Sequence, residues 1–502
     1  MSMTVNWSQT PMKRCELHIP LKNKYHLIME NFNTNLYFWN AKNSLWGMAF
    51  DALWILALAT VMSACDNFVD VDLPDSQLTA NTVFEEKATA NAAMTDIYSK
   101  IRDTGLLTGS PSGLSHLLGI YGDEMDFYGA LPSGPAFYNN SLIASNPDVK
   151  ELWNNTYNQI YAANAIIEGV AYSSKLSAAD CNQLTGEALF VRALLHFYLA
   201  NIYGDVPYIT TTDYAANRVA IRIPVAEVYD NARADLEQAI VFLPEAYLTS
   251  DRVRPNKYAA HALLARVNLY AGSWNEASNE ASAVLNTTGV YENEQDLDKI
   301  FLKESTSTIW QLAPGFSNGN ALEAQTFNFN EGPPPISALT NDFMAVFTPD
   351  DQRKAHWTQA ITDGTSTWYH PFKYKFGDSG TSLEYSIILR LGEMYLIRAE
   401  ARAHSGDLIG AKEDLNTIRH TAGLMNTLAV TQEEILDAIL QERRLELFTE
   451  FGHRFFDLKR FNKIQTVLSA VKPGWDVHED LFPIPEAELN LNPNLKPQNP
   501  GY

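Results

Sequence analysis

Downstream of Thr82, apolar residues recur at spacings of three and four, as in TVFEEKATANAAMTDIYSKI, VKELWNNTYNQIYAANAIIEGV and ADCNQLTGEALFVRALLHFYLANIYG. That period lays them along one stripe of a helix, and such a stripe is buried by packing against neighbouring helices. Gly204 and Pro207 cut the third segment. Pro224, suited to a first helical turn, opens VAEVYDNARADLEQAIVFL, which Pro244 stops. The pattern resumes in NKYAAHALLARVNLYAG and again in TQEEILDAILQERRLELFTEFGHRFFDLKRF. A mainly α protein is predicted.

Two of these stretches repeat one another. Ala265, Gly272, Trp274, Ala277, Ala281 and Val284 share their offsets with Ala399, Gly406, Leu408, Ala411, Leu415 and Ile418. The offsets resemble a tetratricopeptide unit, with a small residue on the first helix, glycine at the turn and alanine where the second helix crosses closely. Any pair of alanine-rich antiparallel helices is the alternative. Between the copies, residues 287–383 carry the Gly, Pro, Asn and Ser of loops, with β-leaning pieces TSTIWQLA and TWYHPFKYKF. A similar insert spans 105–146. Long irregular inserts on a regular frame are where binding usually lives. The proline- and asparagine-rich end, LFPIPEAELNLNPNLKPQNPGY, is expected to dock as an extended tail. No linker divides the helices, so residues 82–502 are expected to form one helical body with two loop-rich inserts carrying short β-strands.

Upstream, Ala52–Ala64 reads ALWILALATVMSA, thirteen residues without charge. That suits a secretory apolar core and falls short of the roughly eighteen that a spanning helix needs. Met62, Ser63 and Ala64 before Cys65 resemble a bacterial lipobox, whose cysteine is acylated and becomes the first mature residue. Residues 1–64 are therefore expected to be a leader, an over-called start followed by a lipoprotein signal peptide. Residues 65–81, with Asp66, Asp70 and Asp72, would form an acidic tether. Maturation would leave Cys181 as the sole unmodified cysteine, so stability must come from the core.

Composition excludes several functions. The 37 Lys and Arg face 59 Asp and Glu, a formal charge of −22, and a phosphate backbone would meet repulsion over most of the surface. Nucleic acid is not an expected partner. There is no phosphate-binding Gly-x-x-x-x-Gly-Lys-Ser/Thr loop, no His-Glu-x-x-His, no Cys-x-x-Cys and no Gly-x-Ser-x-Gly. GDSG at 377–380 imitates a protease nucleophile loop without the many-stranded barrel that would bring His and Asp to Ser379. The eleven histidines show no paired ligand spacing, so neither metal nor cofactor is expected. Glu442, Arg443, Glu446, Glu450, Arg454, Asp457 and Arg460 form one charge constellation, and Glu393, Arg398 and Glu400 another. Helical spacing alone makes such neighbours, and both read as ion pairs between helices rather than catalytic groups.

Five segments resemble the SusD/RagB family of outer-membrane nutrient-binding lipoproteins. They are GEALFVRALLHFYLANIYGDVPYIT (186–210), NKYAAHALLARVNLYAGSW (256–274), LRLGEMYLIRAEARAHSGDLIGAKEDLNTIRHTAGL (389–424), ILQERRLELFTEFGHRFFDLKR (439–460) and FPIPEAELNLNPNLKPQNPGY (482–502). The resemblance implies a tetratricopeptide-like scaffold without enzymatic activity. It also implies a lipid-anchored position at the outer membrane, facing the exterior, beside a TonB-dependent transporter of the SusC type, to which captured oligosaccharides, or oligopeptides in the RagB branch, are delivered. Sugar rings present C–H faces that pack on aromatic rings. The insert residues with that capacity are Tyr128, Phe137, Tyr138, Phe316, Phe327, Phe329, Trp357, Trp368 and Tyr369. Tyr128, Phe137, Tyr138, Phe316 and Trp368 are the expected ligand contacts. The site is expected on one face built from both inserts, with Tyr128, Tyr138, Phe316 and Trp368 in an arc, rather than in the groove of the repeats.

Overall fold

A computed structural model describes residues 83–377 and 380–502. The expected leader, the tether, Cys65 and Ser379 lie outside the described residues. The helix Ala178–Tyr203 (α3) explains the architecture around it. Ser177 caps it by accepting from Asp180 N, and Gly204, at φ +73°, ends it. Every residue from Gln183 to Tyr203 is buried, so this helix must be enclosed by others. Pro147–Tyr172 (α2) and Val225–Phe242 (α4) pack against it, and Lys87–Asp103 (α1) lies on α2 and α3. The buried charged residues of α3 are held by its neighbours. Arg192 makes a two-pronged pair with Asp235 of α4, at 2.6 and 2.7 Å, and reaches Asn164 Oδ1 of α2 at 2.9 Å. Glu187 accepts from Tyr98 of α1 and from Arg254.

The predicted repeat is present as two stacked hairpins. Lys257–Tyr270 (α5) with Trp274–Leu285 (α6) is the first, and Leu391–His404 (α7) with Leu408–Thr421 (α8) the second. Ala265, Ala277, Ala281 and Val284, and their counterparts Ala399, Ala411, Leu415 and Ile418, are all buried where the helices cross. Gly272 and Gly406 sit at φ +72° and +86° just past the first helix of each pair, a conformation that side chains disfavour. The hairpins meet through α6 and α7 although about a hundred residues separate them in the chain. Trp274 stacks on His404 there, ring centroids 3.9 Å apart and planes 11° from parallel. Gln432–Glu446 (α9) completes the row on α7 and α8, burying Ile435 and Ile439 among Leu396, Ala403 and Leu415. His453–Arg460 (α10) packs against α9. The frame is tetratricopeptide-like and mainly α, as the periodicity predicts.

Both charge constellations are ion-pair networks. Arg266 of α5 binds Glu393 of α7 through two contacts of 2.7 Å. Arg443 and Arg460 share Asp457, and Arg460 also holds Glu400. Arg398 grips Asp414, and Arg454 with Arg444 clamps Asp123.

The chain leaves this frame twice, and the excursions meet. Met125–Phe127 (β1) of the first insert pairs with Ser337–Leu339 (β3) of the second, Met125 opposite Leu339. Thr358–Thr362 (β4) and Thr367–Pro371 (β5) form a hairpin that extends the sheet in the order β1-β3-β5-β4. A second, two-stranded sheet joins Thr308–Leu312 (β2) to Ser386–Arg390 (β6), which runs straight into α7. The C-terminal tail docks as expected, but not fully extended. Glu486–Leu491 is helical and Pro493–Leu495 a 3₁₀ turn, while Phe482 and Ile484 are fully buried and Asn499 Nδ2 donates to Tyr203 O at 2.8 Å. Residues Phe84–Tyr502 form one compact unit.

Candidate functional site

The four-stranded sheet gathers aromatic residues from both inserts. Beyond β1 the backbone of Tyr128 continues the ladder, its N–H donating to Ile336 O at 2.7 Å. Gly129 follows at a point where a Cβ would come within 2.9 Å of the Pro335 carbonyl, so the close approach depends on glycine. The short helix Gly134–Tyr138 then turns the chain back, and the Tyr138 hydroxyl donates to Asp126 Oδ1 at 2.9 Å. From the second insert, β5 carries Trp368, whose ring lies against Gly332. The Trp368 indole lies near the Tyr128 hydroxyl.

Three of the five expected contacts, Tyr128, Tyr138 and Trp368, come together near Asp126, which the Tyr138 hydroxyl bonds directly. Tyr128 is 45 % exposed, and Tyr138 and Trp368 are half-buried. Burial and the neighbouring Asp126 raise the Tyr128 pKa, with Trp368 pulling the other way. Burial, then the hydrogen bond to Asp126, push Tyr138 up to about 12. Both are neutral phenols at ordinary pH, able to donate and accept. Lys472 Nζ lies 3.9 Å from the Tyr138 ring centroid and donates to Ile120 O at 2.6 Å. Burial lowers its pKa to about 8. A 220 Å³ cavity beside these groups is lined by Asp126, Tyr138, Thr340, Asn341, Arg444 and Lys472. The arrangement offers ring faces for apolar surface next to polar groups for hydroxyls or amides.

The other expected contacts lie elsewhere. Phe137 is fully buried, packed edge-on against Tyr121 and Phe482, and serves as a floor under its loop instead of a ligand face. Phe316 is 62 % exposed and lines a separate cavity of 290 Å³ with Arg102, Asn320 and Gln325. Phe327, Phe329 and Trp357 are buried, the last donating its indole N–H to Leu297 O at 3.0 Å. Asp126 and Lys472 were not among the expected residues. Asp126 stands two residues before Tyr128, where strand alternation would put it on the same face, whereas Lys472 comes from just past the end of a distant helix, Ile464–Val471, with no local signal. Among the described residues, no group of three or more His, Cys, Asp or Glu side chains is placed to hold a metal, and no helix is long and apolar enough to cross a membrane.

Comparison with known proteins agrees with this architecture. A family model described as "Starch-binding associating with outer membrane" matches residues 135–269, and the SusD family model matches residues 352–502. SusD-like protein P2 of Formosa agariphila is 27 % identical over 89 % of this chain and 99 % of its own. A SusD-like protein of Bacteroides ovatus is 25 % identical over 80 % of each. A SusD superfamily crystal structure from Bacteroides vulgatus superposes with TM-score 0.72 at 21 % identity, covering 84 % of this chain and 100 % of the other. A laminarin-binding SusD-like protein superposes with TM-score 0.69 at 22 % identity, covering 84 % and 100 %. The fold is thus that of the SusD superfamily structures. This chain belongs to the SusD/RagB family.

Proposed function

We propose that the protein captures neutral glycans at the outer membrane and delivers them to a TonB-dependent transporter of the SusC type. The observation that carries this reading is the meeting of Tyr128, Tyr138 and Trp368 around Asp126, on a sheet to which both inserts contribute. Rings set beside hydrogen-bonding groups suit a ligand with C–H faces and hydroxyls, and no net charge is required of it. The family description and the laminarin-binding relative support the same class of ligand. The binding is non-catalytic in this reading, because the clustered carboxylates Glu442, Glu446, Glu450 and Asp457 are each held by arginine. The chain from Asp66 onward, which contains the whole Phe84–Tyr502 unit, is expected to be retarded in gels containing a neutral polysaccharide and to release no reducing ends from it. Release of reducing ends would make it an enzyme, and binding confined to oligopeptides would replace the glycan reading with a peptide one.

Anchoring follows from Cys65 in this proposal. An acyl chain gives firm attachment only when joined by others, as in the multiply acylated bacterial lipoproteins. Cells fed an alkyne fatty acid should label the wild type and not the Cys65→Ala variant, and protease added to intact cells should remove the exterior-facing protein. Equal labelling of both chains would end the anchoring idea.

A further inference from the structure

Helix α2 carries two parallel rows at a spacing of four. Trp153, Tyr157 and Tyr161 make a ladder of rings, and Asn154 and Asn158 a ladder of amides beside it. Both rows line a cleft of 1020 Å³ on which Tyr214 and the C-terminal tail also border. The floor is fixed. Trp153 is 4 % exposed and packs edge-on against Tyr203 at 5.0 Å, and the Tyr157 hydroxyl donates to Pro207 O at 2.9 Å. Tyr161 and Tyr214 are 51 % and 76 % exposed. The tail is pinned where Asn492 Nδ2 donates to Ala220 O at 2.7 Å and Asn494 Nδ2 to Val219 O at 2.9 Å. By contrast, the Asn154 and Asn158 amides make no hydrogen bond among the described residues. Apart from the tyrosines, the ionisable groups of the cleft are one of each sign, Arg218 and Glu488.

We propose that this cleft is a second carbohydrate site, taking a neutral oligosaccharide whose rings stack on Tyr161 and Tyr214 while its hydroxyls bond Asn154 and Asn158. A protein surface laid here would bury those amides and must supply donors and acceptors in register, since an unsatisfied buried amide is costly. Each sugar hydroxyl is both donor and acceptor and meets that demand without a matching fold. Two sites on one chain would also hold a long polymer more tightly than either alone, because the second contact becomes intramolecular. The sheet site and this cleft rest on different residues, and they can fail separately.

Arrays printed with laminarin, starch, xylan and mannan should be probed with the chain from Asp66 onward, with Tyr161→Ala/Tyr214→Ala, with Asn158→Leu, and with Tyr128→Ala/Trp368→Ala. The cleft pair is expected to weaken retention of at least one glycan held by the wild type by about tenfold or more, with unchanged circular dichroism, and Asn158→Leu to weaken the same glycan. A cleft pair equal to the wild type on every glycan overturns the proposal. So does a wild type that retains none, or a cleft pair that keeps its glycans and loses only a co-purifying membrane protein. If the Tyr128/Trp368 pair keeps full binding while the cleft pair loses it, the sheet reading fails and the cleft stands.

Discussion

Replacing Tyr128, Tyr138 and Trp368 together with alanine is expected to weaken retention on an affinity gel of the bound glycan on the order of a hundredfold, whereas Phe316→Ala alone leaves retention near that of the wild type. The two results separate because the structure places the first three together near Asp126, while Phe316 lines another cavity. A stacked ring contributes about 1 kcal/mol beyond the area it buries, so losing three costs about 3 kcal/mol, on the order of a hundredfold in affinity. The triple variant should keep its helical circular dichroism, since Tyr128 is 45 % exposed and the other two are half-buried at the sheet and not in the helical core. Unaltered retention would remove the sheet from the binding reading, and a loss with Phe316→Ala alone would move the contact to the Arg102 cavity.

The helical frame was legible because its signals are local. Period, caps and turn glycines lie within a few residues of the elements they define, as with Ser177, Pro224, Gly272 and Gly406. The sheet was not. Strands β1 and β3 have three residues each, too few to display alternation, and they pair across two hundred positions of chain. Strand β6 is buried on both faces, so SIILR shows no period of two and reads as the start of the helix that follows it. The site was half legible for the same reason. Phe137 and Tyr138 are adjacent aromatics on one short helix, where successive side chains point about a quarter-turn or more apart. One faces the core and the other Asp126, and only the position of Tyr121, Phe482 and Lys472 from remote segments decides which.

Arg390→Met is expected to lower the unfolding free energy at pH 7 by about 3–5 kcal/mol, the usual cost of taking one partner from a buried ion pair. Arg390 ends β6 and stands at the N-terminus of α7. Its guanidinium lies 2.5 Å from Glu446 Oε1, donates to Glu450 Oε1 at 2.8 Å and Oε2 at 2.9 Å, and reaches the Glu446 carbonyl at 2.8 Å. All three side chains are buried. Gly392 makes the room, since a Cβ there would stand 2.5 Å from Arg390 Nη1 and 2.9 Å from Glu446 Oε1. Without Arg390, two buried carboxylates keep only Arg353 on Glu446 and Lys373 on Glu450. Burial alone would raise both carboxyl pKa values, but Arg390 with Arg353 at Glu446, and Arg390 with Lys373 at Glu450, outweigh it and hold both below the ordinary value. Groups depressed in the folded state contribute stability above their unfolded pKa of about 4.3, and lose it as the pH falls through the folded values. Denaturant melts should therefore show the wild type weakening below about pH 4, with the gap between wild type and Arg390→Met narrowing as the carboxylates protonate. A gap under 1 kcal/mol at neutral pH, or one of equal size at pH 7 and pH 3, would show that the pair does not hold this corner of the scaffold together.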